Sequence, residues 1–151
     1  QYGDELGMLS QTSNAMDKKN GGAFPWGGGD KAQTKDPAGA SLNKPESLAT
    51  QKAKPHSLFG HHKALLKARK QLPALSDPKS FGYQYGEFTD KQVHAMVRQS
   101  GTSRALVLVN LSNSTKTVSF SEGSKSTQIY CQGYGCPTKL GPYGTHIYKL
   151  P

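Results

Sequence analysis

The spacing of apolar and polar residues changes twice along the chain and divides it into three parts. Up to residue 54, large apolar side chains are sparse and glycines and prolines are frequent, which predicts irregular structure. Over residues 55–72, apolar residues recur at steps of three and four, which predicts an amphipathic helix. From residue 79 the period shortens towards two, as is typical of β-strands.

Short β-prone runs separated by turn signals occupy the rest of the chain. Because no helical pattern lies between them, they predict a mostly β fold, an antiparallel β-sandwich. The run at 106–110 is apolar at successive positions and is expected to be the central strand. The predicted strands are 82–88, 93–99, 104–111, 115–120, 127–131 and 145–150.

The predicted helix has clear signals at both ends. Pro55 suits its first turn, Ser57 is an alternative N-cap, and Pro73 should stop it. The apolar residues expected to form its buried stripe are Leu58, Leu65, Leu66 and Leu72.

The first eight residues have the composition of a short buried strand, and no start signal precedes them. This is expected of a chain cut within a larger fold. A strand at 1–8, a loop at 9–54 and the helix at 55–72 therefore form a first domain of residues 1–78. An all-β domain of residues 79–151 follows it.

Three blocks of the sequence resemble, in order, the α-amylase superfamily, the family 13 glycoside hydrolases. The first, YGDELGM at 2–8, is similar to the strand that closes the catalytic barrel of that superfamily. The second, at 57–75, resembles its last barrel helix. The third comprises 105–112 and 140–150, which resemble two strands of its domain C. The resemblance implies the last strand, loop and helix of a TIM barrel, followed by the Greek-key sandwich of domain C.

The resemblance also implies a function for the whole protein. The chain would be the C-terminal part of an α-amylase-type retaining glycoside hydrolase acting on α-1,4-glucans such as starch and maltooligosaccharides. Its partners would be the rest of the catalytic barrel and the α-glucan. The catalytic acids of the superfamily follow earlier strands, so no catalytic residue and no cofactor is expected in this chain, which alone should be inactive. Any calcium ion would belong to the whole enzyme. A non-catalytic carbohydrate-binding sandwich, and a related α-glucosidase or transglycosylase, are the alternatives.

Four residues are candidates for the substrate side of the barrel. Asp4 and Glu5 would lie at the C-terminal end of a barrel strand, where active sites collect. Retaining hydrolysis needs two carboxyl groups about 5 Å apart, and adjacent strand residues point to opposite faces, so these two cannot supply the catalytic pair. Phe24 and Trp26 match part of the R-x-P-[FM]-x-W loop motif of the superfamily, without its arginine. Trp26 could stack on a sugar ring; the alternative, which we favour, is that it pins the loop to the barrel rim.

Cys131 and Cys136 are separated by four residues, of which two are glycines. A disulfide across so short a loop is sterically plausible, and free thiols or a metal site are the alternatives. The metal site has little support, because no second Cys or His pair lies at ligand spacing nearby. A disulfide would indicate an oxidising compartment; with the resemblance, it predicts a secreted or periplasmic protein.

The net charge of +9 raises nucleic acid as a partner. However, the cations are dispersed, with no adjacent run longer than Lys18-Lys19, and no basic motif is interleaved with aromatic residues. No apolar run approaches the ~18 residues of a membrane-spanning helix. Neither nucleic acid nor a membrane is therefore an expected partner.

Overall fold

The computed structural model describes residues 3–8, 24–27, 45–132, 136 and 139–151. The chain divides into two compact units, Gln1–Lys63 and Ala64–Pro151. The division falls within a helix and precedes the boundary after residue 78 that the sequence predicts.

The opening segment of the first unit is a turn. Residues Asp4–Leu6 form one turn of 3-10 helix, flanked by Gly3 at a φ of 91° and Gly7 at a φ of 75°. Both glycines adopt the left-handed backbone that side-chain-bearing residues avoid, and they bend the chain at each end of the turn. The strand predicted at 1–8 is therefore wrong over the described residues.

A short helix, α1, spans Leu48–Ala53 and lies inside the predicted loop at 9–54. Ser47 caps it, because its hydroxyl oxygen accepts a hydrogen bond from the Thr50 amide at 3.2 Å. Six residues are too few to show a helical period, so the pattern alone could not reveal it. Residues 9–23 and 28–44 of the predicted loop lie outside the described residues.

The predicted helix is present as α2, which spans Leu58–Gln71. Ser57 is its N-cap, since its Oγ accepts a hydrogen bond from the Gly60 amide at 3.1 Å. A further short helix, α3, spans Pro73–Ser76 with the proline in its first turn. Of the two predicted starts, Ser57 is thus the correct one, and Pro73 ends the helix as predicted.

The buried stripe of α2 differs from the prediction. Ala68 is buried, Leu65 packs beside it, and Leu72, the residue before α3, is buried too. By contrast, Leu58 and Leu66 are exposed, the latter at 57%. Successive helical residues point about 100° apart, so the helix cannot bury both Leu65 and Leu66 on a narrow apolar face.

Five antiparallel strands form the main sheet of the second unit, in the order β1-β2-β3-β7-β5, and two more form a small sheet of β4 and β6. The predicted mostly β, antiparallel fold is confirmed, with β3 central as expected. The run at 115–120 is a strand only over β4, and β6 was not predicted. The strands are β1 Phe81–Gln84, β2 Val93–Ser100, β3 Ser103–Asn110, β4 Lys116–Thr117, β5 Thr127–Gln132, β6 Lys139–Leu140 and β7 Thr145–Lys149.

Both faces of the central strand are covered. On one face Leu106 and Leu108 belong to a core cluster that also contains Leu140 of β6. On the other face Val107 packs with Ala68 of α2. Burial on both sides explains why β3 lacks the alternation of a half-exposed strand. No helix in the described part of the chain is both long and apolar enough to cross a membrane.

Candidate functional site

The two candidate acids lie together in the opening turn. Asp4 is exposed and Glu5 is half-buried, and the Glu5 Oε2 atom accepts a hydrogen bond from the Gly3 amide at 3.1 Å. A 3-10 turn has three residues per turn, so neighbouring side chains point about 120° apart. The turn therefore directs the two carboxyl groups apart, as the predicted strand would have done by pointing adjacent side chains to opposite faces. Their place beside a substrate stays a prediction.

Gln51 of α1 connects the opening turn to the rest of the first unit. Its Nε2 donates to the Leu6 carbonyl oxygen at 2.9 Å and to that of Glu46 at 3.2 Å. Its Oε1 accepts from the Phe59 amide, also at 2.9 Å. The side chain is buried at 5% exposure, and sequence reasoning missed it because a lone glutamine in a polar stretch carries no signal.

The segment with Phe24 and Trp26 is fixed to the start of α1 by backbone hydrogen bonds. The Leu48 amide donates to the Pro25 carbonyl oxygen at 2.7 Å, and the Ala49 amide donates to that of Trp26 at 3.0 Å. The rings of Phe24 and Trp26 have centroids 4.4 Å apart, with their planes inclined by 49°. The structure thus brings this candidate pair together.

Trp26 is 45% exposed. It therefore combines a backbone that is held in place with a side chain that water can reach, and an accessible aromatic side chain is what stacking on a sugar requires. Sugar stacking and pinning of the loop both stay predictions.

Cys131 of β5 and Cys136 are joined by a disulfide, with their Cα atoms 6.0 Å apart. This is within the usual Cα separation of disulfides, and the predicted pairing is confirmed. A third side chain, which the sequence analysis did not select, lies against the two sulfurs. His146 of β7 is the cross-strand partner of Cys131.

The imidazole of His146 is buried, at 0% exposure. Its Nε2 lies 3.3 Å from the Cys131 Sγ and 3.6 Å from the Cys136 Sγ. Its Nδ1 lies 3.1 Å from the Tyr148 hydroxyl and 3.2 Å from the Gln128 Nε2. Burial lowers the pKa of His146 because the charged form loses its hydration.

Cys131, Cys136 and His146 bring their ligand atoms within 4.8 Å of one another, and they are the only such group of His, Cys, Asp or Glu among the described residues. Calcium takes oxygen ligands, so two sulfurs and a nitrogen do not fit it. The strand pairing of β5 with β7 creates the cluster. The sequence could not show it, because it does not give the register between strands.

Comparison with known proteins gives matches to solved structures. No protein-family profile matches the chain, and no curated protein does. Solved structures do. Amy13B of Eubacterium rectale superposes with a TM-score of 0.80 at 19% identity, over 99% of this chain and 31% of Amy13B. The chain has the fold of part of a family 13 enzyme.

Two further structures agree with this fold. A trehalulose synthase (MutB) mutant gives a TM-score of 0.73 at 18% identity, over 99% of this chain and 35% of that one. An isomaltulose synthase mutant of Erwinia rhapontici gives 0.59 at 21% identity, over 84% of this chain and 24% of that one. The chain therefore spans about a third or less of the enzymes that it resembles.

Proposed function

We propose that this chain is the C-terminal part of an α-amylase-type retaining glycoside hydrolase that acts on α-1,4-glucans. The observation that carries the proposal is the match in fold over 99% of this chain but only 31% of Amy13B. The three sequence blocks that resemble family 13 enzymes occur in the matching order. The remaining two-thirds of such an enzyme would hold most of the catalytic barrel.

The proposal assigns the catalytic acids to that missing part. Asp4 and Glu5 diverge from one turn, and Glu5 already binds the Gly3 amide. They are assigned to the rim of the active site, together with Phe24 and Trp26. The exposed Leu66 of α2 supports a partner, because a large apolar side chain at the surface gains free energy when another surface covers it.

A reconstitution assay tests the proposal. The purified chain should release no reducing sugar from starch or maltooligosaccharides. When the chain is joined to the barrel segment that we propose precedes it, cleavage should appear, and the first product should have the α-configuration. Cleavage by the chain alone would contradict the assignment of the acids, and a β-configured first product would contradict the retaining mechanism.

The substrate assignment has a specific competitor. The similar structures include a trehalulose synthase and an isomaltulose synthase, so the whole enzyme could instead be an α-glucosidase or a transglycosylase. Rates on maltooligosaccharides, a short α-glucoside and sucrose distinguish them. Preference for maltooligosaccharides supports the α-glucan proposal, whereas transfer of glucose from sucrose to a second sugar supports the competitor.

A non-catalytic role in binding glucan is favoured by the exposed ring of Trp26. If this role is correct, migration of the chain through starch-containing gels should be retarded, and Trp26→Ala should abolish the retardation. Phe81→Ala is a matched control, because Phe81 is an exposed aromatic of the second unit. Normal migration of the unsubstituted chain supports a structural role instead. We assign the protein to a secreted or periplasmic location, with the disulfide as support.

A further inference from the structure

The buried imidazole of His146 faces two sulfurs on one side and two polar side chains on the other. We propose that Cys131, Cys136 and His146 form a zinc site once their disulfide is reduced. The site would hold the ion with two thiolates and one imidazole and leave its fourth position open to water or another ligand. This ligand set is known from protein zinc sites with an open position.

The positions of the nitrogen and sulfur atoms already fit a tetrahedral ion. Zn–S bonds of about 2.3 Å and Zn–N bonds of about 2.05 Å place a ligand nitrogen about 3.6 Å from a ligand sulfur. In the structure these separations are 3.3 Å to Cys131 and 3.6 Å to Cys136. The imidazole therefore needs little movement to bind the ion.

The two sulfurs, in contrast, must separate. They are bonded at about 2.05 Å in a disulfide, and two thiolates on one tetrahedral zinc lie about 3.8 Å apart. Cys131 belongs to β5 and is paired with His146 of β7, whereas Cys136 is exposed outside any strand. We assign the movement to Cys136, whose side chain is not enclosed by the sheet.

The ring nitrogen away from the sulfurs, Nδ1 of His146, has a partner that can hold the imidazole in the form that binds zinc. Zinc on Nε2 requires the proton of the neutral ring to be on Nδ1. The Tyr148 hydroxyl, 3.1 Å from Nδ1, can accept a hydrogen bond from that proton, and it also accepts one from the Gln128 Nε2 at 3.0 Å. The Gln128 Nε2 itself lies 3.2 Å from Nδ1, but both are donors in this tautomer, so the Tyr148 hydroxyl is the acceptor that holds the ring. Such an outer partner fixes the tautomer and the orientation of a ligating histidine.

Zinc binding requires two steps, reduction of the disulfide and loss of the two thiol protons. A dithiol reductant transfers two electrons and two protons to the disulfide, which becomes two thiols while the reductant becomes a disulfide. Zinc then displaces the two thiol protons, and the two thiolates cancel the charge of the ion. The site would bind metal only in the reduced form, at β5, an edge strand of the main sheet.

Titration with cobalt(II) tests the site, because a cobalt ion bound by thiolates in a tetrahedron absorbs visible light strongly. The chain is reduced under argon, freed of reductant and titrated with Co²⁺ and then Zn²⁺. We expect one equivalent of Co²⁺ to give thiolate-to-cobalt and tetrahedral bands, which Zn²⁺ removes. The oxidised chain should give neither band. Bands in both redox forms, or in neither, would overturn the proposal.

Cys136→Ser is the decisive variant, because its exposed position makes the substitution harmless to the core. Loss of this ligand should weaken Co²⁺ binding by at least about tenfold. His94→Gln replaces an exposed histidine of β2 and should leave the affinity unchanged. An unchanged affinity in Cys136→Ser would overturn the proposal. If reduction unfolds the chain, added Zn²⁺ should restore its β-type circular dichroism, and failure to do so would equally overturn it.

Discussion

The side-chain amide of Gln51 donates a 2.9 Å hydrogen bond to the carbonyl oxygen of Leu6, 45 residues earlier in the chain. The same side chain accepts a hydrogen bond from the Phe59 amide at 2.9 Å, near the start of α2. The Gln51 carbonyl oxygen in turn accepts from the hydroxyl of Ser57, the cap of α2, at 2.6 Å. One buried residue thus connects the opening turn, α1 and α2.

Gln51→Ala should destabilise the first unit. The substitution leaves the Leu6 carbonyl and the Phe59 amide without their partner, and a buried polar group left unpaired costs about 1–3 kcal/mol. We expect a loss of this order in the free energy of unfolding and faster hydrogen exchange at the Phe59 amide. Gln71→Ala, an exposed glutamine at the end of α2, is the control. Equal exchange at Phe59 in both variants would contradict the role of Gln51.

Asn110, at the end of β3, should not tolerate aspartate. Its Nδ2 donates to the carbonyl oxygens of Ser114 at 2.6 Å and Gly141 at 2.8 Å, and its Oδ1 accepts from the Ser112 amide at 3.0 Å. Aspartate has the same shape but presents only acceptors to those carbonyls. Asn110→Asp should therefore lower the free energy of unfolding at pH 7 by at least about 2 kcal/mol in chemical denaturation.

The matched control for this change is Asn113→Asp, at an exposed position three residues on. Substitutions at such surface positions usually change stability by less than about 0.5 kcal/mol. If both variants were equally stable, the buried amide of Asn110 would not be what joins the end of β3 to the turn at Gly141.

Local signals account for the part of the fold that the sequence predicted. Alternating and continuous apolar runs located β2, β3, β5 and β7 to within a few residues, because each run is long enough to show its period. The two-residue strands β4 and β6 and the six-residue α1 are too short to show one. The opening segment was predicted as a strand, yet its two left-handed glycines make it a turn. Glycine can adopt a positive φ, and the sequence alone does not tell which glycines do so.

The candidate sites show the same limit. The Cys131–Cys136 pair was predictable because the two residues are close in sequence. His146 and Gln51 were not, because each acquires its partners through contacts with distant parts of the chain. The sequence reveals which side chains could do chemistry, but the register of β5 against β7 decides that His146 meets the two sulfurs.

Gly144 should be intolerant of a side chain. A Cβ atom at this position would lie 2.6 Å from the Gln132 carbonyl oxygen and 2.9 Å from that of Gly141. Both are backbone atoms, which cannot rotate away. Gly144→Ala should therefore lower the free energy of unfolding by about 1–3 kcal/mol, as measured by chemical denaturation.

Gly86→Ala is the control for this steric argument, because nothing lies within 4 Å of a Cβ atom placed there. It should be neutral or raise the free energy of unfolding by up to about 1 kcal/mol, through reduced freedom of the unfolded chain. Equal losses in the two variants would show that the close approach of backbone at Gly144 is not the cause.

Tyr130 should make the second unit sensitive to alkali. Burial beside Ala68 and Ile147 raises the pKa of its phenol to about 12, against about 10 in an unfolded chain. The folded state therefore favours the neutral phenol. This stabilisation is complete below pH 10 and is lost as the pH rises from about 10 to about 12, because the unfolded chain ionises first. Absorbance of the phenolate should show tyrosine ionising near pH 12, and Tyr130→Phe should lower that absorbance by the amount of one tyrosine.

The same substitution should flatten the dependence of stability on pH in that window. The free energy of unfolding of the unsubstituted chain should fall more steeply between pH 10 and 12 than that of Tyr130→Phe. Tyr143→Phe, at an exposed tyrosine, should leave the steeper slope in place. Parallel slopes for the unsubstituted chain and Tyr130→Phe would mean that this phenol ionises as readily in the folded chain as in the unfolded one. The packing of β5 against α2 would then not exclude water from it.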